Sequence, residues 1–456
     1  MTIPNGNAAK LRRRLGAAGA LVAAAGLVAT GGAGAAVISA RPANRAIAHK
    51  TNTRVSGAIT FSWWGDPVRN AHTYGVIKLF EKSYPKVQVT GTEEAFNQYW
   101  QKLTAEAAAG TLPCVTQTQS RELTSYTPNN VFMNLNPLIK SGAINVSAMP
   151  KAIVDTGKVN GKLYMIPYGA AYMGLMYNNT ILRKLKLPPP AAGSNWADLG
   201  NWLSQLRKKL PSDMYPIDGN GQLADAFISY AEGYGKSLFD KQGQLGFSAS
   251  FLKTYWGMWL KWQNEKIALP ETLAAQEGST IEQSYLVQKK VVVEGEPGNQ
   301  IQDAQIAATQ DHVGNLSVMI YPYGPAGMGN ILVTSGLSIP TRGCSNVSAA
   351  AAFINFFTNN PAGAKVFASN NGAVTDTALL NQQIKSPGTA KSVKQYLRVF
   401  EYISAHHAPL VTYPPGYTIV FQTLFPQVFQ KIAAGQESLT AGVASFMSQA
   451  KADLSA

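Results

Sequence analysis

Trp63 and Trp64 stand side by side at the end of an apolar, β-branched run, and Gly65-Asp66-Pro67 follows them. Indole rings at such a tip make a flat apolar wall, and a carboxylate beside them accepts hydrogen bonds from hydroxyls. Sealed inside a sheet, the same rings would only pack, and the spacing leaves both roles open for each ring. Glu294 and Glu296, or Glu93 and Glu94, are acids that could pair for glycoside hydrolysis. That reaction needs carboxyls facing each other across a cleft, so neighbours on one segment match it weakly. No Gly-x-Ser-x-Gly elbow, His-Glu-x-x-His pair or Walker loop occurs. The histidines cluster only at His406-His407, with no cysteine near and Glu401 as the closest acid, a poor set for a metal. These absences favour a protein that holds a guest over one that breaks bonds.

The elements that must position these residues can be read from local pattern. Ala58–Trp63 reads as a buried strand, and Gly65-Asp66-Pro67 stops it. Asp66 can cap a helix whose first position suits Pro67, and Tyr74, Ile77, Phe80 and Tyr84 then recur at helical spacing. A strand that empties into a helix N-terminus is where an open α/β sheet places a ligand. Lys86–Thr90 alternates as a strand, Phe96 to Ala109 reads as a helix stopped by Gly110, and Pro113–Gln119 reads as a third strand with a polar end. The β-α-β-α-β order over 57–120 predicts a parallel sheet there.

Further along, Asn160-Gly161 between strand-like flanks signals a hairpin, and Leu175–Asn178 reads as a strand. Asn195 caps a helix with Leu199, Trp202, Leu203 and Leu206 on its apolar face. Tyr255, Trp256, Trp259 and Trp262 have helical spacing, which suits the core of a helical lobe. Val291–Val293 is a strand that ends in Glu294-Gly295-Glu296-Pro297-Gly298-Asn299, a second strand-to-turn junction. Leu316–Tyr321 and Ile331–Pro340 read as strands, and 393–456 reads as largely helical.

A chain of 456 residues is too long for one ordinary core, so two lobes are expected. Charged residues make up 14%, against a usual share of roughly 25%. The shortage is mostly acidic, with 25 Asp+Glu against 39 Lys+Arg and a net charge of +14. The basic residues are scattered without an arginine-rich helix or basic-aromatic repeat, which argues against nucleic-acid binding. A scarcity of carboxylates also suits a protein that works in acid. Lys10, Arg12, Arg13 and Arg14 precede an uncharged run from Leu15 to Ala40, and Ala33-Gly34-Ala35 offers a cleavage site. Residues 1–40 thus read as an export signal or an N-terminal membrane anchor, and 41–56 as a polar linker. Cys114 and Cys344 are the two cysteines, and an exported chain can pair them.

In order along the chain, these segments resemble the family-1 extracellular solute-binding proteins of ABC importers, the maltose-binding-protein-like group that mostly binds sugars. The resemblance covers about 57–455. It rests on Ile59–Gly65 with Leu79–Val87, Tyr99–Leu103, Asp155–Tyr164 with Ile166-Pro167, and Tyr177-Asn178-Asn179. Trp196–Leu199, Ala350–Thr358 and Asn371–Val374 complete the set. Two features depart from the family pattern: Pro113-Cys114-Val115 replaces the usual Pro-Asp-Val, and the lipid-anchor cysteine is missing.

The resemblance implies an α/β, two-lobe, type II periplasmic-binding-protein-like fold, with mixed, mainly parallel sheets flanked by helices and joined by hinge crossovers. Lobe one is expected over 57–169 plus 334–372, and lobe two over 170–333 plus 373–456. It implies that the third strand pairs with Thr334–Pro340, bringing Cys114 near Cys344 as a disulfide that would stabilise by roughly 3–4 kcal/mol through chain entropy. It implies a sugar guest gripped by Trp64, Asp66, Asn97, Trp100, Gln117 and Gln119 from lobe one. Tyr168 and Tyr172 are expected at the crossing, and Glu294, Glu296, Asn299 and Tyr323 in lobe two, helped by Tyr230 or Trp256. The expected partners are a sugar or oligosaccharide and ABC permease subunits, with no cofactor, a monomeric state and an exported location. A secreted carbohydrate-processing enzyme is the alternative.

Overall fold

The computed structural model describes residues 55–455 apart from 128, 275, 279, 407–410 and 412. The expected signal or anchor over 1–40, most of the linker and His407 lie outside the described residues. Eleven strands are formed: β1 Gly57–Trp64, β2 Val87–Glu94, β3 Val115–Gln119, β4 Lys158–Val159, β5 Lys162–Leu163 and β6 Ile166–Asn178, then β7 Tyr215–Ile217, β8 Val291–Pro297, β9 Leu316–Met319, β10 Leu332–Ser338 and β11 Ala373–Val374. The longer helices are α1 Pro67–Ser83, α2 Phe96–Ala109, α3 Trp196–Arg207, α4 Ala224–Gly233, α5 Ala249–Asn264 and α6 Ile301–Gln310, then α7 Val347–Asn359, α8 Pro361–Phe367, α9 Thr377–Lys385, α10 Lys391–Ala405, α11 Phe425–Ala433 and α12 Leu439–Ser455. Among the described residues, no helix is long and apolar enough to cross a membrane.

Local chemistry sets several boundaries. Asp66 accepts the Arg69 backbone N–H at 2.8 Å and starts α1 with Pro67 in its first turn. Gly110 closes α2 in the left-handed conformation at φ 71°. Asn160 and Gly161, at φ 50° and 77°, turn the β4–β5 hairpin. Asn195 and Asp198 form a reciprocal capping box at the start of α3.

The strands run in the order β2-β1-β3-β10-β6-β8-β7, with β9 and β11 also paired to β6. β1 pairs parallel with both β2 and β3, and β7 pairs parallel with β8. The expectation of mainly parallel pairing holds in these units and not at β6 and β10. β10 runs antiparallel to β3 and β6, and β6 runs antiparallel to β8, β9 and β11. The sheet is mixed because β6 and β10 run antiparallel to their neighbours. The first half of β6 (166–172) pairs with β10, and its second half (173–177) pairs with β8.

Each side of this junction has its own core. Phe61, Trp63, Phe80, Phe353 and Phe357 pack together beside β1. Trp196, Phe227, Tyr255, Trp256 and Phe425 form a second core beyond β6, and Met176, Leu286, Val318 and Tyr396 a third. The chain thus folds as the two-lobe α/β architecture. Cys114, at the start of β3, is disulfide-bonded to Cys344, 230 residues away and just past β10, with Cα atoms 4.3 Å apart.

Candidate functional site

The C-terminal ends of β1 and β3 lie side by side because the two strands are parallel neighbours. Gln117 points its amide at the seam. Its Oε1 accepts the Trp64 backbone N–H at 3.0 Å, and its Nε2 donates to the Tyr168 hydroxyl at 2.5 Å. Asn371 Nδ2 donates to the same hydroxyl at 2.7 Å, so one tyrosine ties β1, β3 and the returning chain together. Burial pushes the Tyr168 phenol well above its ordinary pKa, so it stays neutral.

Trp64 is 3% exposed and sits among Tyr99, Trp100 and Phe96, with ring centroids 5.3, 5.2 and 5.7 Å away. Trp100 is half-buried and its indole N–H has no hydrogen-bond partner among the described residues, while Phe96 and Asn97 are exposed on the first turn of α2. The wall that faces outward is therefore Phe96 and Trp100, with Trp64 behind them. Trp63 turns the other way, into the Phe61 core, and donates to Asn70 at 2.9 Å.

Gln119 accepts from Arg121 Nε at 3.0 Å, and this positions the guanidinium at the end of β3. Arg121 Nη1 then reaches Asp225 Oδ2, at the start of α4, at 2.6 Å. Both side chains are nearly buried. The other Asp225 oxygen has no hydrogen-bond partner among the described residues. Around this pair, the Thr124 hydroxyl donates to the Tyr413 carbonyl at 2.6 Å and the Thr418 hydroxyl to Glu122 at 2.5 Å. Residues 418–424 form a π-helix, a rare geometry that often marks functional segments.

A second bridge lies at the base of α1. Arg69 donates to the Asn370 side chain at 2.8 Å and to Gln300 at 3.0 Å, and lies 3.7 Å from Asp66. Asn370 donates in turn to both Asp303 oxygens at 3.1 Å, and Asn299 donates to the Asn370 carbonyl at 2.9 Å. Burial first, then the nearby Asp66 charge, pushes the Asp303 carboxyl up to about 7. Asp66 and Asn299, expected from opposite lobes, are thus joined through Arg69 and Asn370.

The end of β8 and the segments beside it bring carboxyls together. Asp218 accepts the Gly295 backbone N–H at 3.2 Å, Glu294 accepts that of Leu286 at 3.2 Å, and Glu277 that of Tyr285 at 2.5 Å. Burial and mutual repulsion push Glu296 up to about 8 and hold Asp218 and Glu294 well above the ordinary carboxylate range.

The remaining expected residues lie elsewhere. Trp256 is fully buried in the helical core against Phe425, Phe429 and Phe446, because the apolar face of α5 packs on α11 and α12. Tyr172 is fully buried and stacked on Tyr396, under the close approach of Gly298. Tyr230 stacks on Tyr234 and meets Trp196 and Tyr255. Tyr323 is half-buried and shares a hydrogen bond with Tyr402 at 2.9 Å. Sequence reasoning missed Arg69, Arg121, Asp225, Asn370 and Asn371. Arg121 had a signal, being two residues past Gln119 on a strand end already marked as polar, and Asn371 stood in a segment that carries the resemblance; the others had none beyond their position.

The family model for bacterial extracellular solute-binding proteins matches residues 75–391. A periplasmic oligogalacturonide binding protein from Yersinia enterocolitica, in complex with saturated digalacturonic acid, superposes with a TM-score of 0.76 at 20% identity, over 87% of this chain and 98% of that one. An ABC substrate-binding protein from Listeria monocytogenes, in complex with cycloalternan, gives 0.74 at 17% identity, over 88% and 99%. The GacH receptor of Streptomyces glaucescens, solved unliganded and with acarbose, gives 0.73 at 19% identity, over 88% and 99%. At such identities the likeness is one of fold.

Proposed function

The chain belongs to the family of bacterial extracellular solute-binding proteins, and we propose that it captures a sugar or oligosaccharide between its lobes and delivers it intact to an ABC permease. The observation that supports this reading is the Arg121–Asp225 ion pair between the end of β3 and the start of α4, together with the aromatic pair Phe96 and Trp100 on α2. Aromatic faces cover sugar C–H surfaces, and charged or amide groups take the hydroxyls. Asp66, Asn97, Trp100, Gln117 and Gln119 would act with Arg121 on one side; Asp225, Glu296 and Asn299 would act on the other. Closure about β6, β10 and the 370–376 segment would bury the guest. The lobes would divide at 169/170, 333/334 and 372/373, and residues 1–40 would direct export or anchor a monomer.

A carbohydrate-processing enzyme is the competing reading. Glu294 and Glu296 lie on one strand of one lobe, whereas hydrolysis needs carboxyls on both sides of a scissile bond. A thermal-shift screen over mono- and oligosaccharides tests the proposal, since a guest that binds the folded state raises the melting temperature. A shift with recovered, unshortened sugar supports it, and shortened product supports the enzyme.

A further inference from the structure

A cavity of about 380 Å³ is lined by residues of α1, α6, α8, α9 and α10 and of the segment that joins the last two. That volume lies within the roughly 300–1,000 Å³ usual for small-molecule sites. Pro361, Val366, Leu379 and Val393 give it apolar patches. Two polar atoms buried at its edge, His72 Nδ1 and Gln302 Oε1, have no hydrogen-bond partner among the described residues. Buried polar groups are normally satisfied, so each unmet one asks for a partner.

Both atoms are acceptors. Gln302 Oε1 is a carbonyl oxygen. Burial lowers the His72 pKa, which favours the neutral ring, and Nδ1 is the ring nitrogen left without a partner among the described residues. A neutral imidazole that donates through one nitrogen accepts through the other. The guest must therefore donate. It has no reason to be a cation, because the lining contains no Asp or Glu and includes Lys365. Hydroxyls meet the requirement, and Ser386, Thr389 and Gln382 can take the remaining hydroxyl groups. Apolar C–H surface of the guest would lie on Leu379 and Val393.

We propose that this cavity is a second ligand site, separate from the cleft, for a small uncharged polyol held by Gln302 and His72. It stands independently of the sugar-capture proposal, since it shares no residue with the cleft.

The test is a titration of the full chain with myo-inositol, followed by saturation-transfer NMR, with crystals soaked in the same compound. Saturable binding is expected, with a hydroxyl on Gln302 Oε1. Gln302→Met keeps the side-chain length and removes the acceptor, and should weaken binding at least tenfold. Ala390→Trp fills the mouth from an exposed position and should abolish it without unfolding the chain, as checked by an unchanged melting temperature. No saturable binding to the wild-type chain, or binding that both variants retain, overturns the site. Equal binding of a small ammonium compound, such as choline, overturns the assignment to an uncharged guest.

Discussion

Arg121 and Asp225 form a 2.6 Å ion pair between the end of β3 and the start of α4, two elements that belong to different cores. Removing one partner of a buried pair strands the other, at about 3–5 kcal/mol if nothing moves. Lobe separation hydrates the stranded guanidinium more cheaply. Asp225→Ala is therefore expected to raise the radius of gyration in X-ray scattering while costing less than about 3 kcal/mol in urea unfolding. An unchanged radius with the full stability loss would show that the pair does not hold the lobes together.

Gln117 makes two side-chain bonds at 1% exposure, to the Trp64 backbone and the Tyr168 hydroxyl. Gln117→Leu leaves a buried N–H without its acceptor, so a loss of about 1–3 kcal/mol is expected. Denaturant unfolding measures it. A neutral result would mean that water replaces the amide.

The Cys114–Cys344 bond closes a loop of 230 residues. Converting both cysteines to serine should lower stability by roughly 5 kcal/mol in the chain-entropy model, mainly by freeing the unfolded chain. Denaturant unfolding measures it, and an unchanged unfolding midpoint in the double-serine variant would contradict this.

Stability should fall as pH rises from acid to mildly alkaline. Glu296 is raised from 4.5 to about 8 and Asp303 from 3.8 to about 7. The folded state therefore holds these protons more tightly than the unfolded state between those limits, so raising pH through that window costs stability. Below about pH 4 both states are protonated and the cost vanishes. Melting temperature should be higher at pH 5 than at pH 8, and Glu296→Gln with Asp303→Asn should flatten the difference. A wild-type curve that rises from pH 5 to pH 8 would refute this.

Much of the fold was legible because it is written in local chemistry. Asp66 and Pro67 announce α1, Gly110 ends α2, and Asn160-Gly161 turns a hairpin. The wall beside β1 was visible as aromatic residues, but not which ring faces out. Trp64 lies behind Phe96 and Trp100 because α2 folds over the tip of β1, a tertiary fact with no local mark. Trp256 has the same helical spacing as the core residues Tyr255 and Trp259, and packing alone decides its role. Arg69 and Asn370 are 301 positions apart, so their bond could not be read from spacing at all.

The most direct test is calorimetric titration of the full chain with the best oligosaccharide from the thermal screen, repeated on Arg121→Ala, with mass analysis of the sugar afterwards. One guest per chain, at least tenfold weaker binding in the variant and sugar of unchanged mass are predicted. Binding indifferent to Arg121, no binding by any sugar, or a shortened product would contradict capture in the cleft.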